Sequence, residues 1–211
     1  MKVEIWSDVI CPWCYIGKRR FEMALANFSQ RERVSVIWRS FELDASAPSQ
    51  YECTLDELLA QKYGVSPQQA AEMGERITTL ASEVGLEYRL ADVRPGNTFD
   101  AHRLLHMATA RKLDDQATER IMHAYFCEGL AVGNRTALAR LAPEFGIAEN
   151  EVLEMLESDA YSEEVRADEA RAKTFGITGV PFFVINEKAG IAGAQPVDVI
   201  AESLRQALDD S

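Results

Sequence analysis

The spacing of apolar and polar positions changes along the chain, and those changes divide it. Val3-Glu4-Ile5-Trp6-Ser7 alternates apolar and polar, the period of a short strand. From Tyr15 the period becomes helical: Ile16, Phe21, Leu25 and Phe28 keep a stripe on one side. Val34-Ser35-Val36-Ile37-Trp38-Arg39 is rich in β-branched and aromatic residues and predicts a second strand. The opening is therefore strand, helix, strand.

From Thr54 to Phe175 strand signals fade and helix signals repeat. Thr54-Leu55-Asp56-Glu57 has the form of a capping box. Ser66-Pro67-Gln68-Gln69 has another, with proline at the first helical position. Gly85 is placed to end that helix. Asn97 or Thr98 can cap a helix to about Leu113, and Asp114 or Asp115 one to about Leu130. Shorter helices follow Asn134 and Ala148, and a charged one runs from Ser162 to Phe175, ending at Gly176. Strand character returns at Pro181-Phe182-Phe183-Val184-Ile185. A turn over Asn186–Gly190 leads to the short Ile191-Ala192-Gly193, and Pro196 to Leu208 reads as a closing amphipathic helix. The expected organisation is an α/β domain built from residues 1–45 and 175–211, with an all-helical insertion over 46–174.

The chain has 211 residues, 47% of them hydrophobic, enough for a sizeable core without staples. Its formal net charge of −12 repels phosphate backbones and anionic lipid, which argues against nucleic-acid and membrane partners. No segment approaches the length of a membrane span, and the opening residues lack the apolar run of a signal peptide. A cytoplasmic location is expected. The four cysteines are too few for a disulfide scaffold, and in a reducing compartment a close pair is more often catalytic or metal-binding than structural.

That pair is Cys11-Pro12-Trp13-Cys14, at the turn from the first strand into the first helix. Two intervening residues on a first helical turn bring the sulfurs within bonding range. The unpaired N–H groups and positive dipole end favour a thiolate at Cys11, and the thiolate is the nucleophile. Pro12 suits the first helical position because its missing N–H would have had no partner there. Thiol–disulfide exchange then has Cys11, reachable by solvent, attacking a substrate disulfide, and Cys14, less exposed, resolving the mixed disulfide. Trp13 covers part of the site. A zinc site would need two further ligands, and Cys53 and Cys127 stand isolated in the helical block; no metal is expected.

Gly179-Val180-Pro181-Phe182-Phe183 supplies the second half of the site. A proline that opens a strand cannot donate to the ladder. Heading the third strand far downstream of a C-x-x-C at the first strand–helix junction, it matches the thioredoxin arrangement. There a cis bond turns the backbone of the preceding residue, Val180, toward the dithiol, where it can pair with an extended substrate. The fold class is thus thioredoxin-like, with the helical insertion between the second and third core strands.

The run Ser7-Asp8-Val9-Ile10-Cys11-Pro12-Trp13-Cys14-Tyr15-Ile16-Gly17-Lys18, with Gly179–Phe183 and Gly193-Ala194-Gln195-Pro196, resembles the DsbA-like oxidoreductases of the FrnE type. The resemblance spans essentially the whole chain. It implies a nucleophile at Cys11, a resolving thiol at Cys14, a cis peptide before Pro181, and a substrate surface made by Val180, Pro181, Trp13 and Pro12. Asn97-Thr98-Phe99-Asp100-Ala101-His102-Arg103 is similar to that family's helical-domain motif and by that likeness faces the cleft. The expected partner is a protein or small molecule carrying a disulfide or dithiol, with the protein a monomer or a homodimer. No bound cofactor is expected, glutathione being the alternative co-substrate. Kappa-class glutathione transferases and 2-hydroxychromene-2-carboxylate isomerases share the superfamily but usually carry serine at the position of Cys11. A glutathione-dependent isomerase or transferase is therefore the alternative reading. A non-catalytic binding module or holdase of the same fold is the second. Cys127 reads as a small buried hydrophobe, and the mixed charges from Ser162 to Lys173 as a solvated helix face.

Overall fold

The computed structural model describes residues 1–209. Its elements are β1 (Lys2–Ser7), α1 (Pro12–Ala26), β2 (Ser35–Ser40), α2 (Leu55–Tyr63), α3 (Pro67–Ser82), α4 (Phe99–Ala110), α5 (Asp114–Glu128), α6 (Arg135–Leu141), α7 (Glu149–Glu157), α8 (Ser162–Thr174), β3 (Phe182–Ile185), β4 (Ala189–Ala192) and α9 (Val197–Asp209). The chain is of the mixed α/β class, and it divides into two compact units. One takes Met1–Leu43 and the chain from Arg166 onward; the other is Asp44–Val165. No helix among the described residues is long and apolar enough to cross a membrane.

In the first unit the strands run in the order β2-β1-β3-β4. β1 and β2 are parallel, with Val3 opposite Val36 and Ile5 opposite Trp38. β3 runs antiparallel to β1, setting Phe183 against Ile5, and β4 antiparallel to β3. A parallel β1–β2 pair needs a crossover, and α1 provides it. The β3–β4 turn is tight: Asn186 and Glu187 take φ of 50° and 58°, and Lys188 N–H closes onto the Ile185 carbonyl at 3.0 Å. One sheet face carries Val3, Ile5, Phe183 and Ile185, which bury Phe21 and Phe28 with Ile200 and Leu204 of α9. Phe21 stacks on Phe183 at 5.6 Å. Burying each such side chain stabilises the fold by about 1.5–3 kcal/mol.

The other face carries Trp6 and Val184 with Ala172 and Ile177, and a buried carboxylate, Glu4. Here the charged helix departs from expectation. α8 is not simply a solvated face: Asp168 is buried, accepting from Ser40 N–H at 3.0 Å and Arg39 at 2.8 Å, and its carbonyl accepts from Trp6 Nε1 at 2.9 Å. Arg171 reaches Glu4 at 2.7 Å, and Arg39 reaches it at 2.6 Å. A mixed-charge pattern at helical spacing looks the same whether its partners are water or buried carboxylates, so the periodicity could not separate the two.

The second unit is helical. Both expected capping boxes form, at Thr54 with Glu57 and at Ser66 with Gln69. Asn97 Oδ1 accepts from Phe99 N–H at 2.9 Å, and Asn134 caps α6 through Ala137 N–H at 3.0 Å. Asp114 and Asp115 lie inside the first turn of α5, whose N-cap is Leu113; there they face the helix dipole rather than cap the helix. Arg103 is buried and donates to the carbonyls of Met155 (2.7 Å), Ser158 and Ala160 (2.9 Å), tying α4 to the chain end of α7. Cys127 is buried, as expected, beside Phe126, which stacks on Tyr88 at 4.6 Å.

Glu4 makes the first unit acid-sensitive. Burial alone would raise its pKa, but hydrogen bonds from Arg171, Lys2 and Arg39 outweigh burial and lower it from 4.5 to about 2. The native state therefore holds this group ionised where the unfolded chain would take up a proton. The resulting stabilisation, about 3 kcal/mol, is complete above pH 4.5 and is lost as pH falls toward 2. Glu4→Gln should destabilise the protein by about 3 kcal/mol at neutral pH. In urea titrations the gap between wild type and variant should close as pH drops from 4.5 toward 2; a constant gap would contradict this assignment.

Candidate active site

The chain leaves β1 at Ser7 and enters α1 through a turn that Asp8 organises. Asp8 is fully buried. Its carbonyl accepts from Cys11 N–H at 3.1 Å, and its carboxylate accepts from Leu43 N–H at 2.7 Å. Cys11 is the N-cap of α1 with extended backbone (φ −84°, ψ 113°), and Pro12 occupies the first helical turn. The Cys11 carbonyl receives Cys14 N–H at 3.0 Å, which fixes both cysteines on one turn. No acidic residue stands in that turn, so nothing there offsets the positive end of the helix.

All four cysteines are free thiols. Cys11 was expected to be open to solvent, and the structure corrects that: it is 4% exposed, against 1% for Cys14. The order of exposure holds, but both sulfurs are buried. Cys11 is covered in part by the segment before β3, where its Sγ donates to the Val180 carbonyl at 3.6 Å. Burial, then the hydrogen bond with Cys11, pushes the Cys14 thiol well above the ordinary thiol value; Ser7 and the Asp8 backbone pull the other way. Cys14 is held protonated.

The Val180–Pro181 peptide is cis. The Pro181 carbonyl accepts from Gly193 N–H at 2.8 Å, and Arg20 of α1 donates to the Ala194 carbonyl at 2.6 Å, so the turn after β4 is tied to both sides of the site. Val180 and Pro12 are half-buried, and Trp13, 39% exposed, is the most open residue of the motif. Thus Cys11, Cys14 and Val180 come together around one point, while Trp13 stands out into solvent.

Three residues here received no role from sequence. Ser7 and Asp8 sat inside the motif as flanking positions. Gly17 was an isolated glycine in a helical run, a position that a helix tolerates at a cost in stability. A Cβ on Gly17 would lie 2.9 Å from Pro181 Cγ and 3.6 Å from Ala194 Cβ, so the missing side chain is what lets α1 sit against Pro181. His102 is buried in the helical unit. Cys53 lines a cavity of about 530 Å³ in that unit with Tyr51, Arg89 and Arg94.

The profile of the family described as "DSBA-like thioredoxin domain" matches residues 2–205. A Bacillus subtilis (strain 168) protein, described as uncharacterized protein YwbO, is 28% identical over 204 residues, covering 96% of this chain and 94% of that protein. The crystal structure of a probable DsbA oxidoreductase from Streptomyces coelicolor is similar with a TM-score of 0.96 at 42% identity, covering 100% of this chain and 91% of that one. The cytosolic disulfide reductase DsbM from Pseudomonas aeruginosa shares the fold with a TM-score of 0.68 at 16% identity, each chain covered in full, and its structure with GSH is also similar.

Gly17→Ala should destabilise the protein by about 1–2 kcal/mol, because overpacking against Pro181 outweighs the gain in helix propensity. The midpoint of urea unfolding reads this directly. An unchanged or higher midpoint would mean that α1 and Pro181 separate without cost.

Proposed function

Because the chain belongs to the DSBA-like thioredoxin domain family, we propose that it is a thiol–disulfide oxidoreductase working through Cys11 and Cys14. The observation that carries this reading is the pair itself: two free thiols on the first turn of α1, with the Val180 carbonyl 3.6 Å from the first sulfur.

In the reductive direction Cys11, as the thiolate, attacks one sulfur of a substrate disulfide. A Cys11–substrate bond forms, the substrate disulfide breaks, and its other sulfur departs with the electron pair and takes up a proton. Ionisation of Cys11 removes the S–H that had bound the Val180 carbonyl. That carbonyl then becomes free to accept an N–H from an extended substrate, as an added strand would supply. Cys14 resolves the intermediate, leaving Cys11–Cys14 oxidised and the substrate reduced. The same steps reversed oxidise a substrate dithiol.

We assign substrate contact to Val180, Pro181, Pro12 and Trp13, the last of which offers an exposed aromatic face to what binds there. We include glutathione among the candidate substrates, as the fold neighbour DsbM has been seen with GSH, and assign the protein to the cytoplasm on the same analogy. Retention of both cysteines supports redox chemistry over a glutathione-dependent isomerase, which would not need Cys14.

Cys11→Ser should abolish disulfide reduction, and Cys14→Ser should accumulate mixed disulfides visible as added mass on Cys11. Because Cys14 is held protonated by burial, decay of the wild-type mixed disulfide should quicken with rising pH, about tenfold per unit below its titration midpoint. Undiminished turnover by Cys11→Ser would rule the mechanism out.

A further inference from the structure

Ser7 closes β1 with its backbone pinned: its carbonyl accepts from Phe41 N–H at 3.2 Å, and it lies opposite Ser40 in the ladder. Its side chain is buried, 5% exposed, and the hydroxyl oxygen makes no hydrogen bond of ordinary geometry to any described residue. A buried hydroxyl in that condition is costly and calls for an explanation. Its polar neighbour is the Cys14 sulfur, on which it acts in the sense that favours the ionised form. The groups facing that sulfur are Cys11 on its own helix, the Ser7 hydroxyl from β1, and the Asp8 backbone.

Taking Cys14 as the resolving thiol, as proposed above, we infer that Ser7 is a positioning residue of the resolving step, its hydroxyl donating a hydrogen bond to the Cys14 sulfur when that sulfur becomes an anion. The hydroxyl that lacks a good partner at rest gains a strong one in the course of the reaction, since hydrogen bonds to charged groups exceed neutral ones. In the mixed disulfide, Cys11 carries no charge and burial remains as the obstacle to ionising Cys14. Cys14 gives its proton to solvent. Its electron pair forms the Cys14–Cys11 bond as the Cys11–substrate bond breaks, and the substrate sulfur leaves with the bonding pair and is protonated by solvent. The protein dithiol is oxidised and the substrate sulfur reduced. Ser7 keeps its proton throughout.

The test compares Ser7→Ala with Ser7→Thr, which retains the hydroxyl. In a Cys11→Ser background the pH titration of the Cys14 Cβ chemical shift should move up by about one unit in Ser7→Ala and return in Ser7→Thr. With both cysteines present and an aromatic disulfide as probe, resolution should slow about tenfold relative to the first attack in Ser7→Ala, its pH profile moving up by the same amount. An unchanged Cys14 titration, or equal slowing of both phases, overturns the assignment and leaves Ser7 a packing residue. If wild type forms no mixed disulfide at all, the redox reading fails instead, and the Cys14 titration still decides whether Ser7 holds that sulfur.

Discussion

The site depends on keeping the Cys14 sulfur out of water. A thiol buried in the first turn of α1 resists ionisation and is held in its protonated form. Much of the surrounding geometry serves that burial. Asp8 turns the chain from β1 into α1 and fixes the Cys11 backbone. Gly17 lets the helix come against Pro181, and the Val180 carbonyl reaches the Cys11 sulfur. Each arrangement is local, yet the residues come from opposite ends of the chain, and antiparallel pairing of β1 with β3 brings them together.

The charges of the first unit show how a sheet face can be buried without being apolar. Glu4 alternates with Val3 and Ile5 along β1, which directs it to the face covered by α8. Arg39 and Arg171 meet it from β2 and α8, and Arg39 continues to Asp168. Glu4 is the buried charge on which Lys2, Arg39 and Arg171 converge, so the network ties α8 to the sheet specifically. This is why the chain from Arg166 onward groups with the sheet.

Much was legible in the sequence because local signals are strong where backbone geometry is demanding. The C-x-x-C after a strand, the capping boxes at Thr54 and Ser66, and proline at the head of β3 each reflect a short-range constraint. The one-sided stripe that includes Phe21 and Phe28 is the face that packs into the core. The misreadings share one cause. The charged face of α8 and the exposure of Cys11 both depend on what lies across space, and periodicity carries no record of that.

By itself the sequence determined the order of strands and helices, the dithiol on a first helical turn, and the proline that faces it. Those follow from backbone propensities and from spacings within a few residues. Tertiary structure alone decided that both sulfurs are buried, that Gly17 is required for contact with Pro181, and that an ordinary serine at the end of β1 lies against Cys14. Desolvation and close approach belong to groups distant in the chain and adjacent in space, and only the folded sheet brings them together.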